Sequence, residues 1–303
     1  MRMLDLHLDG DDGEAEATSV RPTAFRIQKR LSEVIDEPKV AELRKAFMDA
    51  DALEDVLRLD ELQDEHQEHT WIWALNPVTE PVLPEADWQC AARLKLGCPQ
   101  LSSEMVCNYC GEKVLDRQGY HALCCAVGES TKGHNAVRDG LHAGFIAVDP
   151  GAATEVVGLI PSQPDLRPAD VLTSATRAHG SMAVDVGICA PHASGAGDNC
   201  VENMRAHKFE HYANVLRELE RENIEYLPAT ISCYGRRHPS VTQILIKASQ
   251  AAARRRGVAS HTAILRRWCR VITARVWHRA ARMIQACMPQ EPGDTELLLD
   301  GSL

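Results

Sequence analysis

The sequence lacks any long apolar run: no stretch of its 303 residues approaches the 18 uninterrupted apolar residues that indicate a membrane-spanning helix. The first residues, MRMLDLHLDGDDGEAEATS, are acidic, whereas a signal peptide is basic and then apolar. The hydrophobic content of 45% is enough for a packed core. We therefore expect a globular, soluble, intracellular protein with no membrane partner.

A disulfide framework is not expected either. The eleven cysteines are an odd number, in a chain too large to need disulfide staples. Four of them fall between positions 107 and 125. This clustering favours metal binding over disulfide bonds.

Acidic residues are absent from Arg236 to Gln290, a segment with twelve Lys and Arg. Met1 to Thr70, in contrast, holds about ten more acids than bases. The net charge of −10 therefore hides a basic C-terminal region and does not exclude a nucleic-acid partner.

Composition and periodicity divide the chain into six parts. We predict an acidic disordered tail (1–20), a helical and connector region (21–100), a zinc module (101–130), an α/β core (131–235), basic helices interrupted near Gly257 (236–290) and a second acidic tail (291–303). The core has a helical pattern in HNAVRDGLHAGFIAV, three β-rich runs (ATEVVGLI, PADVL and MAVDVGICA), a polar helix and a last strand, EYLPATISC. This order of helix, three strands, helix and strand predicts an α/β fold with a central sheet.

The segment CNYCGEKVLDRQGYHALCC has the spacing of a zinc site. Cys107, Cys110, His121 and Cys124 form a C-x2-C-x10-H-x2-C pattern, with Cys125 as an alternative last ligand. Three thiolates and one imidazole complete the tetrahedron that zinc prefers. Because four protein ligands leave no open position for water, we predict a structural zinc site.

Two short strands each carry one aspartate where a valine would be expected. Asp170 lies near the start of PADVL and Asp185 in the middle of MAVDVGICA. A buried acid costs several kcal/mol, roughly, unless it is paired or binds a metal. If the strands form a hairpin through His179 and Gly180, both carboxylates converge at one edge of the sheet and, with Glu155 from the neighbouring strand, bind Mg²⁺ or Mn²⁺.

A lysine completes a nuclease site of this kind, because its ammonium stabilises developing phosphate charge or orients the attacking water. Its standard place is two residues after the second acid, but Gly187 stands there. We predict that Lys208 on the following helix supplies the ammonium. Tyr212, four residues later on the same helical face, is predicted to contact a phosphate.

Taken together, DRQGYHALCC, GHNAVRDGL, RPADVL, AVDVGI and the K-x3-Y helix resemble the C-terminal part of reverse transcriptase polyproteins from non-LTR (LINE-type) retrotransposons. The resemblance spans roughly residues 71 to 283. In that family a CCHC zinc knuckle precedes a restriction-like endonuclease of the PD-(D/E)xK fold. The resemblance therefore implies a restriction-endonuclease-like core between the zinc knuckle and the basic helices.

Residue by residue, the resemblance implies that the four predicted zinc ligands bind zinc and that Asp170 and Asp185 bind the catalytic metal. It further implies Glu155 as a supporting acid and Lys208 as the displaced lysine. His134 and Asn135 match the helix that contributes to the site, and Arg167 matches the base before the Pro-Asp motif.

The chain departs from the family in three places. Gly133 stands where the family usually has arginine, and Ala169 interrupts the Pro-Asp motif. No YxDD-type polymerase motif occurs in the 303 residues. The chain is therefore either a separate nuclease-like product or a remnant of a larger element.

The function that the resemblance implies is a retrotransposon-derived DNA endonuclease of the nucleus, with RNA of a parent element as a further partner. We predict that six arginines bind the nucleic-acid backbone: Arg254, Arg255, Arg256, Arg266, Arg267 and Arg270. Two alternatives stay open. The chain is a catalytically inactive nucleic-acid-binding remnant, or it is a zinc-bearing interaction scaffold whose basic helices are buried against acids.

Overall fold

The computed structural model describes residues 24–73, 82–177 and 179–289 and shows a mixed α/β protein. Both predicted acidic tails lie outside the described residues. The N-terminal region contains α1 (Ala24–Asp49), α2 (Leu53–Gln63), a 3-10 turn (Thr70–Trp73) and α3 (Glu85–Leu96). Within the described ranges, no helix is both long and apolar enough to cross a membrane.

A small two-stranded module follows the helical region. It contains the antiparallel pair β1 (Met105–Val106) and β2 (Val114–Leu115) and a 3-10 turn at His121–Cys124. Gly111, at φ +70°, lies in the turn that joins the two strands. The backbone N–H of Cys107 donates to the carbonyl of Lys113, so the two ends of the turn that carries the CxxC segment are held together.

The central unit has the predicted order of elements, with one additional short helix. The elements are α4 (Val127–Ile146), β3 (Ala153–Thr154), β4 (Val171–Thr173), β5 (Ser181–Cys189), α5 (Cys200–His211), α6 (Leu216–Arg221) and β6 (Ile224–Ser232). The strands form one sheet in the order β3-β4-β5-β6, in which only β5 and β6 are parallel.

The first strand of this sheet is much shorter than the predicted run of residues 153–160. β3 ends at Thr154 because Glu155 has φ +54°, which turns the backbone out of the extended conformation. Gly158, at φ +76°, adds a second turn. The predicted strand is therefore mostly loop.

Residues on β5 alternate between the two faces of the sheet. Met182, Val184 and Val186 pack in a hydrophobic cluster with residues of α4, α7 and α8, whereas Ala183 packs with Leu219 of α6 on the other face. Here α7 is Pro239–Arg256 and α8 is Thr262–Cys287. Asp185 has the same parity as Ala183, so β5 presents it toward α5 and α6.

The predicted break in the basic helices is confirmed. Gly257 has φ +65°, and its N–H bonds to the carbonyls of Ala253 and Arg254 at the end of α7. After this cap, α8 packs on both α4 and the two-stranded module. Trp277 of α8 stacks on Trp71 with ring centroids 5.1 Å apart, which joins the N-terminal region to the same core.

Candidate functional site

Three acids lie next to one another across the sheet. Val171 of β4 pairs with Val184 of β5, so the antiparallel register continued by one residue places Asp170 opposite Asp185. Likewise, the pairing of Thr154 with Val171 places Glu155 beside Asp170, and the Glu155 N–H donates to the Asp170 carbonyl at 3.2 Å. The structure thus brings the three predicted acids to neighbouring positions, with Glu155 just after β3, Asp170 just before β4 and Asp185 within β5.

Asp185 is buried, with 8% of its surface exposed. Lys208 Nζ donates to its Oδ1 at 2.7 Å, and the Tyr226 hydroxyl donates to its Oδ2 at 2.5 Å. Burial raises the pKa of Asp185, and the charge of Lys208 opposes this rise. Burial and the neighbouring carboxylate also raise the pKa of Tyr226, so its phenol stays a donor.

Lys208 reaches Asp185 because Gly187 has no side chain. A Cβ on Gly187 would lie 2.6 Å from Lys208 Cε and 3.1 Å from Met204 Cγ. The Lys208 side chain therefore extends from α5 across Gly187 and occupies the space that a lysine side chain on β5 would fill. This is the placement that the sequence predicted for Lys208.

Asp170 lies immediately before β4 and is held by two donors. The Val186 N–H donates to its Oδ2 at 2.6 Å, and His134 Nε2 lies 3.3 Å from the same atom. The hydrogen bond with Asp170 raises the pKa of His134, while burial opposes the rise. Burial alone would raise the pKa of Asp170, but His134, the Val186 N–H and the charge of Lys208 together lower it.

Glu155 and Tyr212 lie at the margin of this group. Arg138 Nη1 donates to Glu155 Oε1 at 2.6 Å, and Arg167 Nη1 lies 3.6 Å from Oε2. The Tyr212 hydroxyl donates to the backbone carbonyl of Arg167 at 3.2 Å, and its ring packs edge-on against Tyr226. Tyr212 thus supports the loop before Asp170.

Sequence reasoning missed Tyr226 and Arg138 as members of the site. Tyr226 stands opposite Ala183 in the parallel β5–β6 pair, a register that periodicity does not specify. Arg138 is part of the GHNAVRDGL segment, one helical turn after His134. Its spacing on α4 is the signal that could have identified it.

At Gly133, where the resembled family usually has arginine, another arginine occupies the space above the glycine. A Cβ on Gly133 would lie 2.3–2.6 Å from Cβ, Cγ and Cδ of Arg279, so this α8 side chain fills the space. Arg279 Nη2 donates to Ser130 Oγ at 2.6 Å. Burial lowers the pKa of Arg279.

The cysteine cluster contains Cys125, and the prediction of Cys124 is wrong for this structure. The ligand atoms of Cys107, Cys110, His121 and Cys125 all lie within 4.8 Å of one another. Cys124 is exposed and lies outside this group. The 3-10 turn ends at Cys124, and the thiol of the next residue, Cys125, points back toward Cys107. The pattern becomes C-x2-C-x10-H-x3-C.

The cluster has the dimensions of a tetrahedral zinc site. Cys107 Sγ lies 3.9 Å from Cys125 Sγ, and Cys110 Sγ lies 3.5 Å from His121 Nε2. Zinc–sulfur bonds of about 2.3 Å require ligand separations of roughly 3.8 Å at the tetrahedral angle. Backbone N–H groups of Glu112 and Lys113 lower the pKa of Cys110 to about 6, which favours the thiolate that binds metal. The group can therefore hold a metal such as zinc.

Five of the six predicted nucleic-acid-binding arginines are exposed on one part of the surface. Arg254, Arg255 and Arg256 form the last turn of α7, and Arg266 and Arg267 lie on the first turns of α8. Arg270 is half-buried and donates to Thr70 Oγ1 at 3.1 Å. A different arginine of the basic region, Arg236, pairs with an acid of the N-terminal region: its Nη2 donates to Glu61 Oε1 at 2.6 Å.

No protein-family model, curated protein or solved structure gives a significant match to this chain. The site is therefore interpreted from its own geometry: a pair of strand carboxylates with a helix-borne ammonium, a separate Cys3His cluster and an exposed group of arginines.

Proposed function

We propose that this chain is a DNA endonuclease of the restriction-like type, dependent on Mg²⁺ or Mn²⁺ and related to the C-terminal region of non-LTR retrotransposon polyproteins. The observation that carries the proposal is the contact of Lys208 Nζ with Asp185 Oδ1 at 2.7 Å, made across Gly187. An ammonium beside the second acid is placed to stabilise negative charge that develops on a phosphate during hydrolysis. Such an enzyme would act in the nucleus.

The donor set fits a hard divalent cation. Asp170 and Asp185 offer carboxylate oxygens from facing positions, and each such oxygen can accept a hydrogen bond and still bind a metal. These two residues would hold the ion, which supplies Lewis-acid stabilisation of the phosphoryl oxygens and a more acidic attacking water. Glu155, paired with two arginines, supports the site from β3.

The other side chains position these acids and the phosphate. His134 and the Val186 N–H fix Asp170, while Tyr226 fixes the second oxygen of Asp185. Lys208, at its present distance from Asp185, is placed to stabilise negative charge that develops on a phosphate bound there. The exposed arginines of α7 and α8 bind the backbone, and the Cys3His cluster holds zinc as a structural ion.

The second candidate function is a nucleic-acid-binding remnant without cleavage. It is favoured by Gly133, whose place is filled by a buried arginine that also bonds to Ser130. The third reading, a scaffold without a nucleic-acid role, required basic helices buried against acids. The exposure of Arg254–Arg256, Arg266 and Arg267 argues against it.

Nicking of supercoiled plasmid by purified protein in Mg²⁺ or Mn²⁺ tests the proposal. We expect nicking by the wild type and none by Asp170→Asn or Asp185→Asn. Asp165→Asn is the matched control, because Asp165 is exposed and lies five residues before Asp170. Salt-dependent DNA binding without nicking would support the remnant, and nicking that survives both substitutions would eliminate this metal site.

A further inference from the structure

A cleft of about 420 Å³ lies between the cysteine module and the central sheet. Its volume is in the range of small-ligand pockets, and its walls are mainly apolar. Among the described residues, no Asp or Glu lines it. Its lining includes Ser130, Ile188, Gly195, Met204, Arg279 and Met283.

Arg279 is the only cation with a permanent charge among the residues that line the cleft. It is 6% exposed and forms no ion pair with any described residue. Nε and Nη2 donate to Ser130, at 3.4 Å to its carbonyl and 2.6 Å to its hydroxyl. Nη1 is buried and has no hydrogen-bond partner within the described part of the chain. A buried guanidinium with a free donor is costly to leave without an acceptor.

The cleft adjoins the candidate catalytic site. His207, which lines the cleft, directly precedes Lys208 on α5, and Met204 Cγ lies 3.1 Å from the position of a Cβ on Gly187. Ser130 lies one helical turn before His134 on α4. A nucleic-acid strand with one phosphate at Asp170 and Asp185 would therefore carry its neighbouring nucleotide to the mouth of this cleft.

We propose that the cleft binds one unpaired nucleotide of the substrate strand, next to the phosphodiester that the acids engage. The apolar side chains of Ile188 and Met204 pack on the base, above the buried Met283, and Arg279 Nη1 donates to an acceptor on the base edge or to a phosphate oxygen. This inference rests on the proposed function. The cleft alone would also suit another small anion with an apolar part, and the neighbouring acids are the reason to expect a nucleotide.

The test uses zinc-loaded full-length protein with 13C-methyl methionine in Mg²⁺-free buffer. The four deoxynucleoside 5′-monophosphates are the probes, and inorganic phosphate is the anion control. The chain has eight methionines, of which Met204 and Met283 line the cleft. We expect saturable NMR shifts at these two methyl groups, assigned by Met204→Leu and Met283→Leu, and weaker or no shifts with phosphate.

Gly195→Leu is the blocking variant. Gly195 lines the cleft and a Cβ there meets no heavy atom within 4 Å, so a larger side chain can be placed at the cleft without a clash at Cβ. We expect it to weaken nucleotide binding by about tenfold or more. Ser194→Leu is the control, since Ser194 is an exposed neighbour that does not line the cleft, and it should bind like the wild type.

Three outcomes would overturn the proposal: no shift at Met204 and Met283, equal binding by Gly195→Leu and the wild type, or equal shifts with phosphate alone. The readout requires no cleavage. If the protein does not nick plasmid but shows the methyl shifts, and Gly195→Leu weakens them, the endonuclease is refuted and the nucleotide site is not. If the protein nicks plasmid but shows no methyl shifts, only the nucleotide site is refuted.

Discussion

Two glycines are each complemented by a cation from a distant helix. Lys208 passes over Gly187 to reach Asp185, and Arg279 fills the space over Gly133. In both cases the absence of a Cβ allows a side chain from another element into the same volume. A motif can therefore lose a basic residue from its usual position while the charge stays nearby in space.

The first prediction concerns the position of the ammonium. We expect Lys208→Ala to lower the rate of plasmid nicking by about 100-fold or more, because the charge next to Asp185 is lost. Gly187→Lys combined with Lys208→Ala should restore part of the rate, since the lysine then begins on β5 in the space that Lys208 has left. If the double variant nicks no faster than Lys208→Ala, the ammonium does not act in the space next to Asp185.

The second prediction concerns the pair of His134 and Asp170. The pKa of His134 is raised in the folded protein, so its contribution to stability is complete below the unfolded pKa and is lost as pH rises through the folded value. The pKa of Asp170 is lowered, so the carboxylate is charged throughout this window. We expect His134→Gln to reduce the free energy of unfolding by about 1–2 kcal/mol at pH 5.5 and by less at pH 8.5.

Urea unfolding of both proteins at the two pH values measures this difference. His142→Gln is the control, because His142 is on the same helix and Nε2 lies against the Ala152 carbonyl rather than a carboxylate. A loss that is equal at both pH values would mean that His134 acts only as a neutral hydrogen-bond donor.

At the scale of elements, the α/β order was predictable from the sequence and the strand lengths were not. Hydrophobic alternation identified β5 and β6, which are nine residues each. The run at 153–160 has the same apolar character, but Glu155 leaves the extended conformation after two residues. Which acids face one another then depends on register, and register is set by tertiary pairing.

The last ligand of the cysteine cluster was undetermined for a similar reason. Cys124 and Cys125 are adjacent, so spacing allows either one. The direction of the chain after the 3-10 turn decides between them, and this depends on the packing of Ala122 and Leu123, which are 0% and 2% exposed. α8 contributes to the same region, where the Asn108 N–H donates to the Cys287 carbonyl.

The third prediction separates the two cysteines. Cys125→Ser should lose the bound zinc and lower the free energy of unfolding by about 4 kcal/mol, a loss typical of a missing structural metal. Cys124→Ser should keep one zinc and nearly the wild-type stability. Metal analysis of the purified variants and urea unfolding with and without a chelator measure both effects. Zinc retained by Cys125→Ser but lost by Cys124→Ser would reverse the assignment of the ligand.

At the scale of the whole molecule, the opposite charges of the two ends are only partly used inside the fold. Arg236, three residues before α7, is largely buried against Glu61 of α2 and lies 3.8 Å from Asp64. Arg282 of α8 lies 3.9 Å from Asp87 and 3.7 Å from Glu129. The arginines at 254–256, 266 and 267 are exposed, whereas Arg279 is buried. The basic C-terminal region therefore uses some arginines in internal pairing and presents at least five to solvent.

The last prediction uses these exposed arginines. If Arg266 and Arg267 contact phosphates, replacing both with Gln should lower DNA affinity and reduce the slope of log K against log salt by about 1.8, from about 0.9 for each lost contact. Lys39→Gln with Lys45→Gln is the matched control, because both lysines are exposed on α1, which is not part of the proposed site. Fluorescence anisotropy of labelled duplex over a salt series measures the slopes. Equal slopes for this double variant, the control and the wild type would mean that Arg266 and Arg267 do not bind the backbone.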